Sequence, residues 1–375
     1  MNKIHNALGC PGSFTFSDLH CEKQPTGGEK WIISVSSSSL NSKAIEIWNR
    51  YFTLIFNSYK LPKRLIKYKK QLEATANPLY KDLFSNTGNI NISNLIELLL
   101  INPNKYTEPS DYASIADKNV ISAIFNYTYL TQHYKEDFIA LILLLNVNVC
   151  PYCGRAFTTT VEKSDKHYIR TNEIDHYLPQ DSYPWLSLSI WNWIPVCGSC
   201  NLHKSSKKEP FLYPYEEEMG DIYRFATHST RGMDYLVGAI NSEDNFDIVL
   251  EPTVDTSTLP KEYNDHIQNE VTTIGTKELY SSHKDYVCNI FRQRYIYGNP
   301  FIESLTKLDL FNSKEDVLAM MYFKRIDAES IGNSPLDKLT RDINHEIDVL
   351  QEEDKISIIN SKYAVQLIEI NHRKT

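Results

Sequence analysis

Two pairs of cysteines constrain this chain more than any other feature of its sequence. Each pair has the spacing Cys-x-x-Cys, first at Cys150 and Cys153 and again at Cys197 and Cys200. Two such turns present four thiolates at the spacing that a tetrahedral Zn²⁺ ion requires. A redox-active dithiol needs only one pair, so that interpretation would leave the second pair unexplained. The four cysteines therefore predict a structural zinc site.

The four cysteine ligands of this site argue against a catalytic role for the metal that they bind. Four thiolates leave no coordination position for a water molecule, so we expect the zinc to hold the fold together without taking part in a reaction. The two pairs are separated by 43 residues, enough for a substantial structure between them. We therefore expect the catalytic residues in that inserted segment.

The composition is that of a soluble, folded protein. Hydrophobic residues make up 42% and charged residues 23% of the 375 residues, which are ordinary values for such proteins. The other cysteines, Cys10, Cys21 and Cys288, are scattered and are expected to be ordinary thiols in a reducing compartment. The longest apolar run, residues 138–145, is too short to cross a membrane. We expect a cytoplasmic protein with no membrane contact.

The net charge of −8 argues against a protein that coats nucleic acid by overall attraction, so any nucleic-acid contact must be local. One local candidate is a basic run within residues 60–70. On a helix this run forms either a stripe that faces phosphates or a solvated helix face, and both interpretations remain open. The run consists of Lys60, Lys63, Arg64, Lys67, Lys69 and Lys70.

The apolar pattern predicts an α+β fold in three regions. Helical spacing dominates from Ser42 onward and predicts a mostly helical region over residues 1–145. Residues 146–215 hold the cysteine pairs and form a predicted central module. Helical spacing returns in residues 216–375, notably at 263–274, 279–297, 315–323 and 336–350.

The central region has β-rich runs at residues 157–161 and 168–174, joined by a polar segment. This pattern predicts an antiparallel hairpin whose second strand ends in the dipeptide Asp175-His176. A short helix after Cys200 would complete a strand, strand, helix unit. The expected module is therefore small and stabilised by zinc.

Polar residues follow one another in a distinctive order between and after the cysteine pairs. Asp175 and His176 are adjacent, Asn192 follows in the loop, and Asn201 and Lys204 come directly after the last cysteine. This order resembles that of HNH (ββα-metal) endonucleases over residues 150–210, about a sixth of the chain. The resemblance implies a nuclease that hydrolyses phosphodiester bonds in nucleic acid, and we favour DNA over RNA as its substrate.

The resemblance also implies a role for each of these residues. His176 would be the general base that takes a proton from water, and Asn192 would brace the loop and orient that base. Asp175 and Asn201 would bind one catalytic divalent ion, Mg²⁺ or Mn²⁺, through hard oxygen atoms. The sequence departs from many members of the family at Asn201, where they have histidine.

Residues around this core are expected to contact the substrate or to pack the module. Lys204 would share a helix face with Asn201 and contact a phosphate, and His203 on another face is a second candidate contact. Aromatic residues next to a small zinc module more often pack its core than stack on bases. We expect this packing role for Tyr183, Trp185, Trp191 and Trp193.

Two functions compete at this point. The leading one is a metal-dependent endonuclease whose helical flanks select the target or bind a partner. The alternative is a zinc-stabilised nucleic-acid-binding or protein-interaction module with an idle catalytic centre, against which the intact polar set argues. Residues 175–215 also resemble the Septu-type HNH nucleases of bacterial anti-phage systems. That resemblance implies a defence role beside a partner ATPase.

Overall fold

The computed structural model describes residue 8 and residues 18–23, 29–34, 41–74, 78–107, 118–165, 167–308, 311–325, 327 and 330–352. The chain divides into two compact units. Unit 1 is Met1–Tyr152 with Phe157–Glu218, and unit 2 is Cys153–Ala156 with Met219–Thr375. Within the described ranges, no helix is both long and apolar enough to cross a membrane. The α+β class predicted from the sequence is confirmed, because helices accompany small antiparallel strand pairs. The predicted three-region boundaries stay a prediction.

The described part of unit 1 contains a hairpin followed by helices. Strand β1 (Asp18–Lys23) pairs antiparallel with β2 (Glu29–Ser34). The first described helix after them begins at an asparagine cap, where the Asn41 side chain accepts a hydrogen bond from the N–H of Ala44. The helices are α1 (Ser42–Phe52), α2 (Leu61–Ala74), α3 (Pro78–Leu83), α4 (Ile92–Leu99), α5 (Lys118–Ile124), α6 (Tyr127–His133) and α7 (Lys135–Leu145).

The predicted hairpin of the central region is present, but it does not carry the Asp-His dipeptide. Strands β3 (Thr160–Ser164) and β4 (His167–Arg170) form the hairpin. Asp175 and His176 lie on a separate strand, β5 (Glu173–His176), which pairs antiparallel with β6 (Trp193–Val196). The expectation that the second hairpin strand ends in this dipeptide is therefore wrong.

The reason is the break at Asn172. Its side-chain amide donates to the carbonyl of Thr158 and to Oγ1 of Thr160, each at 2.8 Å. These bonds turn the chain out of β4 before β5 begins, since an asparagine side chain that bonds backbone groups competes with a strand ladder. Helix α8 (Gly198–Lys204) begins before Cys200, whereas the sequence predicted a start after it. The ββα unit is thus β5, β6 and α8.

Aromatic residues join the helices of unit 1 to β6 and to the segment between β5 and β6. The ring of Trp48 in α1 lies 5.5 Å from that of Trp191, and the ring of Phe138 in α7 lies 5.3 Å from that of Trp193. Trp185, Trp191 and Trp193 are at most 1% exposed. The predicted packing role of these tryptophans is confirmed, and Tyr183 is half-buried beside Trp185.

Unit 2 combines a strand pair with helices. Strands β7 (Tyr223–Ser229) and β8 (Phe246–Pro252) pair antiparallel, a sheet that the sequence pattern did not predict. The helix predicted over residues 279–297 is two helices, because the chain turns at Ser282 and His283. The described helices are α9 (Lys261–Ile274), α10 (Thr276–Ser281), α11 (Lys284–Ile296), α12 (Asn299–Thr306), α13 (Lys314–Tyr322) and α14 (Asp337–Glu352).

Two carboxylates of α14 cover one edge of the β7–β8 sheet. Asp342 accepts the backbone N–H of Phe225, and Glu346 accepts that of Thr227, each at 3.0 Å. Positions four apart on a helix face the same way, as do positions two apart along a strand edge, so the two spacings match. The helix thereby satisfies strand N–H groups that would otherwise be unpaired.

Candidate active site and metal centre

The four cysteines form one cluster. The sulfur atoms of Cys150, Cys153, Cys197 and Cys200 all lie within 4.8 Å of one another, and all four side chains are buried. A tetrahedral zinc ion with Zn–S bonds of about 2.3 Å sets neighbouring sulfurs about 3.8 Å apart. The cluster therefore fits a tetrahedral metal ion after a contraction of an ångström or less for each pair.

This cluster anchors the helix that follows β6. Cys197 is the N-cap residue of α8, and Cys200 lies in the first turn of that helix. Gly198 lies beside the exposed Glu173 of β5, because a Cβ atom there would lie 3.1 Å from Oε1 of that side chain. A metal ion bound by the four cysteines would hold the start of α8 in place beside β5.

Asp175 is held by a buried polar network on the α8 side of β5. The ammonium of Lys204 lies 2.8 Å from Oδ2 of Asp175, and the hydroxyl of Tyr152 donates to the same oxygen at 2.7 Å. Burial raises the pKa of Asp175, while the Lys204 ammonium and these hydrogen bonds oppose the rise. In this arrangement the carboxylate does not fit the predicted role of metal ligand, because it is enclosed and already bound to a cation.

Lys204 binds protein groups in this arrangement, whereas the sequence predicted a phosphate contact for it. Its ammonium donates to Asp175, to the carbonyl of His176 at 2.9 Å and to that of Tyr177 at 3.2 Å. These three acceptors use the three protons of an ammonium group. The side chain is 1% exposed, so no donor faces a substrate.

His176 lies on the opposite side of the strand, as the alternation of side chains along β5 requires. Its Nε2 atom is 3.0 Å from the carbonyl oxygen of Ser187, and its ring meets that of Tyr127 edge to face at 4.6 Å between centroids. Burial lowers the pKa of His176 to about 4. The imidazole is therefore neutral at physiological pH.

Asn192 holds both ends of the loop that carries Ser187. Its amide oxygen accepts the N–H of Leu178 at 2.7 Å, and its amide nitrogen donates to the carbonyls of Leu178 and Leu186 at 3.0 and 3.2 Å. The side chain is fully buried. Since Leu186 precedes Ser187, these bonds hold the segment whose carbonyl contacts His176.

Asn201 and His203 lie at the accessible part of α8. The amide of Asn201 donates to Oε2 of Glu173 at 2.7 Å. Glu173 is exposed and Asn201 is half-buried, so this pair offers hard oxygen atoms to solvent. His203 is exposed and contacts the carbonyl of Ser199 at 2.7 Å through Nδ1.

Four contributors to this arrangement were not found from the sequence. Glu173 is two residues before Asp175 on β5, and this spacing could have shown that both side chains lie on one face of the strand. Tyr152 lies inside the first cysteine pair, which drew attention to the thiols alone. Ser187 contributes its backbone carbonyl, a group that every residue has, so its residue type gives no signal. Tyr127 is distant in sequence from the other residues of the site.

The comparisons with known proteins agree with this geometry. The family model described as HNH endonuclease matches residues 150–207, which include the cysteine cluster, β5, β6 and α8. The Septu protein PtuB of Bacillus thuringiensis is 31% identical over 105 residues, covering 27% of this chain and 38% of that relative. No solved structure matches the chain. Residues 150–207 therefore form an HNH endonuclease domain.

Proposed function

We propose that this chain is a metal-dependent endonuclease that hydrolyses phosphodiester bonds in nucleic acid, with DNA favoured over RNA. The supporting observation is the state of His176. A carbonyl oxygen can only accept, so its contact with Nε2 means that Nε2 carries the proton. Nδ1 then keeps its lone pair, and a neutral imidazole with one fixed basic nitrogen is suited to take a proton from water.

We propose zinc as the metal of the cysteine cluster. Four buried thiolates at this spacing are the ligand set of structural zinc sites, and they leave no open position. Its effect on activity is indirect, because the cluster fixes α8 and hence Asn201 against β5. Loss of zinc should therefore disturb the fold first and cleavage as a consequence.

We propose Asn201 and Glu173 as the side chains that hold a catalytic Mg²⁺ or Mn²⁺ ion. The bond between them uses an N–H of Asn201, so its amide oxygen can serve as a ligand beside the Glu173 carboxylate. Oxygen ligands with room for several waters suit Mg²⁺. A divalent ion bound here would stabilise negative charge on the leaving oxygen.

A second function has its own supporting observation. The enclosure of Asp175 by Lys204 and Tyr152 is what a zinc-stabilised binding module with an idle centre would show. In that case nucleic acid or a partner protein would bind without being cut. The two functions differ in one measurable property, which is divalent-ion-dependent hydrolysis.

We infer a role in bacterial anti-phage defence, in the cytoplasm, from the partial likeness to the Septu protein PtuB and from the predicted reducing compartment. A partner ATPase belongs to the same inference. Affinity purification of the tagged chain from its native host should recover an ATPase. A chain that is recovered alone and is fully active without a partner would contradict this part.

The test of the nuclease is cleavage of plasmid DNA and of total RNA, with Mg²⁺ or Mn²⁺ and with EDTA as a control. His176→Ala should lower the cleavage rate by about 10²-fold or more, the usual scale for a lost general base. His167→Ala is the matched control, since His167 is an exposed histidine of β4. Cleavage by the His176→Ala variant at the wild-type rate would contradict the proposal, and binding without cutting would support the idle module.

A further inference from the structure

Apart from Lys60, which precedes it, the basic run of the sequence lies on α2 of unit 1, the unit that contains most of the HNH domain. Lys63, Lys67 and Lys70 in α2 are exposed. At 100° per residue their side chains fall within about 60° of one another around the helix axis. Lys69 is not part of this face, because its ammonium donates to the carbonyl of Gly88 at 2.7 Å. We call Lys63, Lys67 and Lys70 the lysine face.

The lysine face is unfavourable for the helix that carries it. Like charges three and four positions apart repel each other and destabilise a helix. The acidic residue of α2, Glu73, follows the lysine face, so no carboxylate separates these lysines along the helix. A bound polyanion would remove the repulsion.

A stack of planar groups adjoins the lysine face and distinguishes it from an ordinary solvated helix. The guanidinium of Arg64 lies 4.2 Å from the ring centroids of both Tyr59 and Tyr129. Tyr129 stacks in turn on His133, at 3.8 Å between centroids and 16° between planes. His133 is exposed, so the stack presents a flat polar ring on which a nucleic-acid base can stack.

A groove begins beside this stack and is lined by residues that contact the candidate general base, His176. Its volume is about 380 Å³, and its lining includes Tyr129, Gln132 and Gln180 as well as Tyr127 and Ser187. The last two are the residues that contact His176, through its ring and its Nε2 atom. The amide groups of the two glutamines can form hydrogen bonds with base edges or sugars.

We propose that the lysine face binds the phosphate backbone of the nucleic acid and that the groove leads the strand from there to His176. The part of this inference that concerns His176 rests on the proposed nuclease function. The binding of nucleic acid to the lysine face does not depend on that function. Nucleic acid fits better than a membrane surface, since a flat layer of lipid headgroups has no use for a stacked ring or a groove. The contact is local, as the negative net charge of the chain requires.

The test measures binding of a fluorescent 30-nucleotide single-stranded DNA, the matching RNA and the DNA duplex, in buffer without added divalent ions. The variant is Lys63→Gln/Lys67→Gln/Lys70→Gln. Its charge-matched control is Lys261→Gln/Lys277→Gln/Lys307→Gln, at exposed positions in unit 2. We expect the first variant to lose about 10-fold or more in affinity at 0.1 M salt. Its plot of log K against log salt should become shallower by about 2, while the control keeps both values.

The outcomes separate this proposal from that of the nuclease. A wild type that binds but does not cut, with binding lost in the lysine variant, would support the lysine face and count against the nuclease. Equal affinity and equal salt slope for wild type and variant would overturn the lysine face, even where cleavage is intact. So would binding to vesicles of anionic phospholipid, lost in the variant, without binding to any oligonucleotide. A melting temperature of the variant at or above that of wild type checks that α2 remains folded.

Discussion

The ammonium of Lys204 lies 2.8 Å from Oδ2 of Asp175, and both side chains are almost completely buried. The pair joins the last turn of α8 to the strand that also carries His176. Removing one partner of a buried ion pair leaves an uncompensated charge, which is more harmful than removing both. Lys204 therefore acts on the site through the position of β5.

This relationship predicts the result of replacing Lys204. Lys204→Met should lower the free energy of unfolding by about 3–5 kcal/mol, because Asp175 remains buried without its cation. The double variant Lys204→Met/Asp175→Asn should recover a large part of that loss. Urea unfolding measures both values, and Lys207→Met at an exposed position is the control. A double variant as unstable as the single one would mean that the buried charge is not the cause.

The cysteine cluster predicts a joint loss of metal and stability. Cys197→Ser should lose the bound zinc and melt at a lower temperature, since the free energy of zinc binding contributes directly to folding. Metal analysis and thermal melting provide the two readouts. Cys288→Ser is the control, because Cys288 is also buried but lies outside the cluster. A zinc-free Cys197→Ser protein that melts like the parent would exclude a structural role for the metal.

The sequence predicted those parts of the site in which the residue type itself indicates the chemical role. Four thiolates at zinc spacing and an Asp-His-Asn series can be recognised without coordinates. The strand that carries the dipeptide was misplaced, because its partner β6 is distant in sequence and the break before it depends on side-chain bonds of Asn172. The roles of Lys204 and of the Ser187 carbonyl depend on burial and on tertiary contacts. Helical spacing predicted that Lys204 shares a helix face with Asn201, but it could not predict that Lys204 is buried.

The bonds of Asn192 predict a combined effect on cleavage and stability. Asn192→Ala removes three hydrogen bonds and takes away a partner from the N–H and the carbonyl of half-buried Leu178, while the Leu186 carbonyl keeps the N–H of Ser189. We expect a loss of about 2–4 kcal/mol in the free energy of unfolding and slower cleavage, since Ser187 no longer holds His176 in place. Ser182→Ala, in the same loop, should change neither. Full activity of a destabilised Asn192→Ala protein would show that the bonds of Asn192 do not orient His176.

The pair of Glu173 and Asn201 predicts a change in metal requirement. Glu173→Gln replaces a charged oxygen ligand by a neutral one of the same shape, so we expect half-maximal cleavage at a Mg²⁺ concentration about 10-fold or more above that of wild type. Saturating Mg²⁺ should restore much of the rate. Glu162→Gln, an exposed carboxylate of β3, should leave the Mg²⁺ dependence unchanged. An unchanged requirement in Glu173→Gln would indicate that the ion is held elsewhere.

Glu346 predicts how the stability of unit 2 depends on pH. Burial raises the pKa of Glu346 to about 7, and the nearby Glu251 carboxylate adds to the rise, although two hydrogen bonds from Thr227 oppose it. A folded-state pKa above the unfolded value means that the folded state binds the proton more tightly. The contribution of this group to stability is therefore complete below the unfolded pKa of about 4.5 and is lost as the pH rises through about 7.

The change associated with Glu346 should be on the order of 1–3 kcal/mol between these limits. Glu346→Gln cannot titrate but retains an oxygen that accepts the N–H of Thr227, so its free energy of unfolding should vary less over this pH range. Urea unfolding at several pH values from 4.5 to 8 gives the comparison, with Glu262→Gln at an exposed position of α9 as the control. If wild type and Glu346→Gln show parallel pH profiles, another group controls this titration.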